Sequence, residues 1–521
     1  MKTMCVVTLV LGCPALLVGN AFGAGVTFPD AGLEAAVRSE LGIAAPTPIT
    51  DANMLTLGTL RAASKNITNL QGVDYGLNLT NLYLNHNKDL SDITPLQNLT
   101  KLSTLWLHND RISNITPLQN LTNLTQLNME NNDIVDITPV QNLTKLTQLW
   151  AYFNDIRDIS AVRNLTNLQT LLLAGNDDIS DITPVQNLTN LTYLTLYDNA
   201  VSDVTPLTNL TKITNLAISR NQIGDITPLQ NMTAMRYLTL SLNQISDIAA
   251  VRNMTHLKLL SFGDNQVSDI TPLQNMTELD TLHARNNQIS DIAVLQGKTK
   301  LWSLDLQGNQ ISDIAALQNM TAMKNLYLAE NHVSDISVMH NMTKMQTLIL
   351  RDNQISDLSP LQNMTTLYNL DLRDNRLNQA DYDTYIPLII ANNSRVRLMY
   401  DRASANATGT FGLVAGRDFI LDGSLSAAET TITSWLWDLD GDGQYDDASG
   451  ERAAIPFSYW SGALGWEVGG TYTIGLKLGA VGGLEDTDFV SIPEPATLGV
   501  FALGVLTMLR RPRRGASGQL Q

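Results

Sequence analysis

Residues 348–365 read Leu-Ile-Leu-Arg-Asp-Asn-Gln-Ile-Ser-Asp-Leu-Ser-Pro-Leu-Gln-Asn-Met-Thr, and this pattern recurs through the middle of the chain. The unit is 22 residues long, with two units of 23 that carry their extra residue at 88–90 and 177–179. A degenerate first unit centres on Lys65. The position of the first asparagine is occupied by Asn87, Asp110, Asn132, Asn154, Asn176, Asn199, Asn221, Asn243, Asn265, Asn287, Asn309, Asn331, Asn353 and Asn375.

Each unit predicts one coil of a stacked array. Leu-x-Leu alternates with period two, which is typical of a short strand with its leucines facing inward. The asparagine amide can pair with backbone groups at a buried bend. Thr-Pro indicates the start of a helical turn, which we expect the threonine to cap. Because one coil cannot bury its own apolar face, the coils must stack.

These repeats resemble the 22-residue class of leucine-rich repeats and are similar to those of bacterial internalins, over roughly residues 28–399. The resemblance implies an α/β solenoid, a horseshoe or superhelix of about 14–15 coils with its parallel sheet on the concave face. We expect an N-terminal helical cap over 26–56, repeats over 57–378 and a C-terminal cap over 379–399.

The two ends of the chain look like sorting signals. Residues 1–23 combine a basic start, an apolar run and small residues, which is typical of a signal peptide. Its removal would remove both cysteines, Cys5 and Cys13. At the other end, Pro493-Glu494-Pro495, a short apolar run and an arginine cluster resemble a PEP-CTERM signal over 493–514.

That second resemblance implies a secreted bacterial protein that an exosortase-type enzyme processes. The inner membrane would hold the C-terminal segment transiently, with the body of the protein outside. A plain C-terminal anchor is the alternative, and it also places the body outside.

Residues 400–492 have a different composition and predict a small all-β sandwich. Strand-like runs over 432–438 and 470–478 make it similar to PKD-type, immunoglobulin-like domains. Asp438, Asp440, Asp442 and Asp446 space their carboxylates like a Ca²⁺ loop, but the twelfth position is Ser449 where a bidentate glutamate is usual. The sequence leaves a Ca²⁺ site and a solvated acidic turn as alternatives.

Charge and motif content argue against two classes of function, nucleic-acid binding and catalysis. The net charge of −17 argues against a nucleic-acid partner, which needs clustered Lys and Arg. The six histidines are scattered without ligand spacing, and no catalytic motif is present. We therefore expect no enzymatic activity and no certain cofactor.

The positions beside the strand leucines should face solvent on the concave side. Later coils place charged residues there, including His283, Arg285, Asp305, Arg351, Asp371 and Arg373. Earlier coils place aromatic residues there, which are typical anchors in recognition although single exposed rings are common. The predicted ligand-binding residues are Trp106, His108, Trp150, Tyr152, Tyr193, Tyr197 and Tyr237.

We expect these residues to bind a protein partner. The alternative is a structural or glycan-binding component of the extracellular polysaccharide matrix, in which the rings would stack on sugars.

Overall fold

The computed structural model describes residues 24–378 and 380–400, and six strands within 419–492. The predicted signal peptide, the PEP-CTERM segment and Asp440, Asp442 and Asp446 lie outside the described residues. The chain forms two compact units that divide between Lys344 and Met345.

The first unit begins with two helices, α1 (Ala31–Leu41) and α2 (Asp51–Met54). Asp30 caps α1 by accepting a hydrogen bond from the Leu33 amide at 3.0 Å, and Gly42 ends it in the left-handed region at φ 66°. The Asp30 carboxylate also accepts from the Thr68 amide at 2.8 Å. This second bond ties the start of α1 to the first coil.

Thirteen three-residue strands follow in this unit, one for each coil. They are β1–β13: Thr59–Arg61, Asn81–Tyr83, Thr104–Trp106, Gln126–Asn128, Gln148–Trp150, Thr170–Leu172, Tyr193–Thr195, Asn215–Ala217, Tyr237–Thr239, Leu259–Ser261, Thr281–His283, Ser303–Asp305 and Asn325–Tyr327. Neighbouring strands pair in parallel with the central leucines opposite each other, as in Leu105↔Leu127. These leucines are fully buried, so the period-two prediction of inward leucines is confirmed.

Opposite the sheet, each coil of this unit carries a short 3-10 helix. Their bounds are Val73–Tyr75, Thr94–Leu96, Thr116–Leu118, Thr138–Val140, Ser160–Val162, Thr183–Val185, Thr205–Leu207, Thr227–Leu229, Ala249–Asn253, Thr271–Leu273, Ala293–Leu295, Ala315–Leu317 and Ser337–Asn341. The prediction that threonine caps these turns is wrong. Thr94 is the first helical residue, and its amide donates to the carboxylate of Asp92 at 2.8 Å. Ile93 stands at the N-cap position, and the aspartate two residues upstream of Thr94 accepts the hydrogen bond of the first amide of the turn.

The second unit begins with strands β14–β16, at Thr347–Ile349, Asn369–Asp371 and Arg397–Met399. A 3-10 helix (Ser359–Leu361), a π-helical turn (Asp381–Tyr385) and α3 (Ile386–Asn392) lie among them. Six further strands, β17–β22, span Phe419–Asp422, Ile432–Asp438, Ala448–Ser449, Arg452–Ile455, Tyr472–Ala480 and Glu485–Ile492. They pair antiparallel as β17-β20 and β19-β18-β21-β22. A PKD-like sandwich remains a prediction, because these strands alone do not define one.

A ladder of side-chain amides joins the coils on one edge of the sheet. Asn154 is representative: its Oδ1 accepts from the Ile134 amide of the preceding coil at 3.1 Å, and its Nδ2 donates to the carbonyls of Met129 and Ala151. In coil after coil, the residue just before this asparagine has a positive φ, as at Phe153 (55°) and Gly175 (63°). The bend therefore requires a residue in the left-handed backbone conformation immediately before the asparagine.

The two 23-residue units disturb this ladder. After Asn176, the amide of Asp178 turns back to the Asn176 carbonyl at 2.7 Å, and Asn199 Oδ1 is then buried without a partner among the described residues. After Asn87, the amide of Leu90 turns back in the same way. Oδ2 of the next ladder residue, Asp110, is likewise buried without a partner. Each inserted residue thus leaves one side-chain oxygen unsatisfied.

Lys298 takes a core position in the repeat. It is 7 % exposed, and its Nζ donates to the carbonyls of Leu273 (2.8 Å), Gln274 (3.2 Å) and Met276 (3.3 Å). Burial lowers the pKa of its ammonium group. Met276 itself occupies the equivalent position of the preceding coil and is fully buried.

We expect Lys298→Met to raise the free energy of unfolding by about 1 kcal/mol, because a buried ammonium is exchanged for a side chain that this position already accepts. Urea denaturation followed by circular dichroism measures the change. Lys300→Met, which removes an exposed ion pair with Glu278, is the matched control and should change stability by less than about 0.5 kcal/mol. A lower midpoint for Lys298→Met would show that the three carbonyl bonds outweigh the cost of burial.

Candidate functional site

The outer face of the parallel sheet carries three rows of side chains. They come from the first and third residues of each strand and from the second residue after it, since the residues between them are buried. Trp106 and Trp150 are third residues, whereas Tyr193 and Tyr237 are first residues and are 40 % and 41 % exposed. His108, Tyr152 and Tyr197 follow their strands. The structure thus gives all seven predicted binding residues a position on this face.

Four of the rings on this face form one group, the N-terminal aromatic cluster: Tyr83, His86, Trp106 and His108. Tyr83 and Trp106 pack edge to face with ring centroids 5.1 Å apart, and the rings of His86 and His108 do the same at 5.1 Å. Trp106 and His108 are 5.7 Å apart. Sequence reasoning missed Tyr83 and His86, although both precede a cluster partner by 22 or 23 residues, the repeat length.

Burial determines the protonation state of His108 in this cluster. It lowers the pKa of His108 to about 4, with a smaller contribution from the neighbouring His86. His108 is therefore neutral near pH 7. Trp106 Nε1 and His108 Nδ1 make no hydrogen bond to any part of the chain that the structure describes.

A second group lies two strands away. Trp106 pairs in register with Asn128, and Asn128 with Trp150, so a polar coil separates the two tryptophans. The ring of Tyr152 packs against Phe153 with centroids 5.5 Å apart. Burial and a hydrogen bond with Glu130 raise the pKa of the Tyr152 hydroxyl. The predicted aromatic residues therefore do not form one continuous cluster, since Asn128 separates the strands of Trp106 and Trp150.

Between the aromatic and charged parts, sequence reasoning also missed a stretch of small residues. The third residues of β8, β9 and β10 are Ala217, Thr239 and Ser261. On the same strands the first-residue row carries Tyr237. These small side chains form a shallow region of the sheet face, next to the exposed side chain of Tyr237.

The charged part of the first unit is largely internally paired. Arg285 Nε contacts the Asp264 carboxylate at 3.1 Å. Burial lowers the pKa of His283 and raises that of Asp305, so it favours the neutral form of each.

A row of Ser, His and Asp crosses the same strands in register. Ser261 pairs with His283, and His283 with Asp305. Ser261 Oγ instead lies 2.8 Å from Ser241 Oγ, and the Asp305 carboxylate accepts from the Gln307 amide at 3.1 Å. Within the described residues no hydrogen bond links the three side chains into a relay.

The described residues contain neither a metal-binding cluster nor a membrane-spanning helix. In the ranges 24–378 and 380–400 and the strands beyond them, no three His, Cys, Asp or Glu side chains are grouped so as to hold a metal ion. No helix in that part of the chain combines the length and the apolar character needed to cross a bilayer. Asp438 ends β18, but its loop partners lie outside the described residues, so the Ca²⁺ site remains a prediction.

Comparison with known proteins agrees with this geometry. A model of leucine-rich repeats in two copies matches residues 166–209 and 255–297, and the PEP-CTERM protein-sorting motif matches residues 491–514. No curated protein matches the chain.

Several solved structures are similar. An internalin, InlF, from Listeria monocytogenes is 38 % identical, with 65 % of this chain and 94 % of that chain covered and a TM-score of 0.55. InlJ of the same species shares the fold at 20 % identity, covering 90 % and 97 %, with a TM-score of 0.59. The ectodomain of the plant receptor kinase GASSHO1/SCHENGEN3 from Arabidopsis thaliana, solved in complex with CASPARIAN STRIP INTEGRITY FACTOR 2, shares it at 21 % identity, covering 67 % and 49 %, with a TM-score of 0.55.

A parallel sheet of three-residue strands, one from each 22-residue coil, defines a leucine-rich-repeat solenoid. The chain belongs to the leucine-rich-repeat proteins and, within them, to the internalin-like group. The predicted repeats and the predicted PEP-CTERM motif are thereby confirmed.

Proposed function

We propose that this chain is a secreted, surface- or matrix-sorted bacterial protein that binds a protein partner on the outer face of its sheet. The observation that carries the proposal is the set of partly exposed aromatic side chains on that face, above all Trp106 and Trp150. Each stands beside a strand leucine that is fully buried, so the backbone beneath it is held in place.

Physical reasoning supports a protein ligand. Large aromatic side chains on a rigid support lose little conformational entropy on binding, and they dominate many protein interfaces. The plant receptor ectodomain that shares this fold was solved in complex with CASPARIAN STRIP INTEGRITY FACTOR 2. Binding without catalysis is the role we assign, and it fits the unlinked Ser261, His283 and Asp305.

The sorting motif supports the location. A PEP-CTERM motif over 491–514 fits processing by an exosortase-type enzyme after export, with transient residence of the C-terminal segment in the inner membrane. Residues 1–23 would supply the export signal. We place the folded body outside the inner membrane.

A glycan of the extracellular matrix is the second candidate ligand. The observation in its favour is the N-terminal aromatic cluster, in which Tyr83 and Trp106 meet at an interplanar angle of 86°. Rings with polar tips can stack on a sugar and hydrogen-bond to its hydroxyls.

We expect Trp106→Ala and Trp150→Ala each to weaken partner binding at least tenfold, the loss typical of buried aromatic anchors. The probes are the surface-protein fraction and the purified extracellular polysaccharide of the producing bacterium, measured against the immobilised chain by surface plasmon resonance. Tyr75→Ala is the matched control. It removes an aromatic side chain that is 45 % exposed on a 3-10 helix, away from the sheet face.

Saturable binding of a protein that both tryptophan variants lose and Tyr75→Ala retains would support the proposal. Saturable binding of polysaccharide alone would replace the protein partner with a glycan. If all three variants bind as tightly as the parent chain, the sheet face is not the binding site.

A further inference from the structure

We propose that His86 and His108 form a two-histidine site for a transition-metal dication of the kind that imidazole binds, with Zn²⁺ and Cu²⁺ as the representative ions. The site is distinct from the proposed Ca²⁺ loop, and it does not depend on the nature of the partner. It arises because stacking brings two histidines of successive coils together.

The separation of the two rings fits one shared ion. With metal–nitrogen distances of about 2.0 Å and a near-tetrahedral angle, two ligating imidazoles have centroids about 5 Å apart. The rings of His86 and His108 are 5.1 Å apart at an interplanar angle of 81°. The rings now meet edge to face, so a shared ion requires the exposed His86 side chain to rotate until a nitrogen of each ring faces the same point.

The backbone holds the pair in place. The His86 amide donates to the His108 carbonyl at 2.9 Å, so the two coils are hydrogen-bonded at the site itself. His86 has a φ of 63°, in the left-handed region that the ladder bend requires. Pre-organised ligands lose little entropy when they bind an ion.

No protein group among the described residues competes for these nitrogens. His108 Nδ1 is buried without a hydrogen-bond partner there, and His86 is exposed. His340 differs, because its Nδ1 lies 2.8 Å from the Ser337 carbonyl oxygen. Water, or a group on the bound partner, would complete the coordination.

The test uses the full-length chain without an affinity tag. Zn²⁺ binding is measured by isothermal titration calorimetry at pH 7.5, in 1 mM Ca²⁺ to occupy surface carboxylates. Cu²⁺ binding is followed by electron paramagnetic resonance, which reports how many nitrogens ligate the ion. The variant is His86→Ala, which removes an exposed side chain and should leave the fold intact. His256→Ala, which removes a solitary exposed histidine, is the matched control.

We expect one high-affinity ion per chain with two nitrogen ligands, at least a tenfold loss of Zn²⁺ affinity in His86→Ala, and no loss in His256→Ala. His108→Gln should match His86→Ala. The proposal is overturned if His86→Ala binds Zn²⁺ as tightly as the parent chain, or if Cu²⁺ shows oxygen ligands only. No saturable binding below millimolar Zn²⁺ would also overturn it.

Discussion

Replacing Asp110 with Asn should raise the free energy of unfolding of the first unit by about 3 kcal/mol at pH 7. Asp110 occupies a ladder position that asparagine fills in the neighbouring coils, and it is 1 % exposed. Its Oδ1 accepts from the Asn87 amide at 2.6 Å, but Oδ2 has no partner among the described residues. An amide would remove the need to take up a proton when this carboxyl is buried.

The new amide should also find acceptors. Asn199 follows the other 23-residue unit, and its Nδ2 donates to the carbonyls of Leu173 and Leu196, both at 3.0 Å. By the same geometry an asparagine at 110 would reach the carbonyls of Leu84 and Leu107.

The increase in the free energy of unfolding caused by Asp110→Asn should depend on pH. Burial raises the pKa of the Asp110 carboxyl to about 8 from its ordinary value of 3.8. Between those values the folded chain keeps a proton that the unfolded chain has released, so the stability of the parent chain falls as pH rises. The advantage of Asp110→Asn should therefore grow by at most about 1.4 kcal/mol per pH unit.

Urea midpoints measured every half unit from pH 5.5 to pH 8.5 check this expectation. Asp155→Asn, which removes the same charge from an exposed position, should shift the midpoint little. A constant difference between Asp110→Asn and the parent chain over the whole range would rule out a buried protonated Asp110.

Asn154→Ala should have the opposite effect, lowering the stability of the first unit by about 3 kcal/mol. The side chain is 6 % exposed and satisfies the Ile134 amide together with two carbonyls, Met129 and Ala151. Alanine leaves the Ile134 amide buried and unpaired, which by itself costs about 1 kcal/mol or more. It also removes one donor from each carbonyl, although Asn132 Nδ2 still donates to Met129 and Asn176 Nδ2 to Ala151.

Hydrogen exchange gives the more specific measurement, since a solenoid can open coil by coil. The Ile134 amide should lose protection in Asn154→Ala, while amides of distant coils change less. Asn98→Ala removes an exposed asparagine that makes no hydrogen bond in the described structure, and it should cost less than about 0.5 kcal/mol. Equal losses in the two variants would mean that the ladder contributes nothing.

Much of the fold could be predicted because its determinants are local and periodic. The alternation around Leu105 predicts an inward-facing strand residue, and the asparagine spacing predicts where the chain bends. Outside the repeats, the runs 432–438 and 470–478 predicted strands, which the structure places at Ile432–Asp438 and Tyr472–Ala480.

The cap of the 3-10 turn could not be predicted in the same way. Thr-Pro is typical of a helix start, and both Asp92 and Thr94 are residues that cap helices. The turn begins at Thr94, one residue earlier than expected, so Thr94 lies inside the turn and its amide donates to Asp92.

Only part of the candidate site could be predicted. Trp106 and His108 could be identified from their residue types alone. Tyr83 and His86 belong to the site because their rings contact those of Trp106 and His108 in the next coil. The 23-residue step shifts the alignment by one residue, so His86 meets His108 although they stand at different positions of the repeat. Charge states such as that of Asp110 depend on burial, which the sequence alone does not give.

The bonding of the amide ladder has a consequence for how such a chain can change length. Asn154 and Asn132 each bond to backbone groups of their own coil and of the coil before it, at equivalent positions of the repeat. If 22 residues are deleted or duplicated within the regular part of the first unit, the two coils brought together have the same backbone donors and acceptors as the original neighbours. Recombination between repeats can therefore lengthen or shorten the array in whole coils, while point changes on the sheet face alter what it recognises.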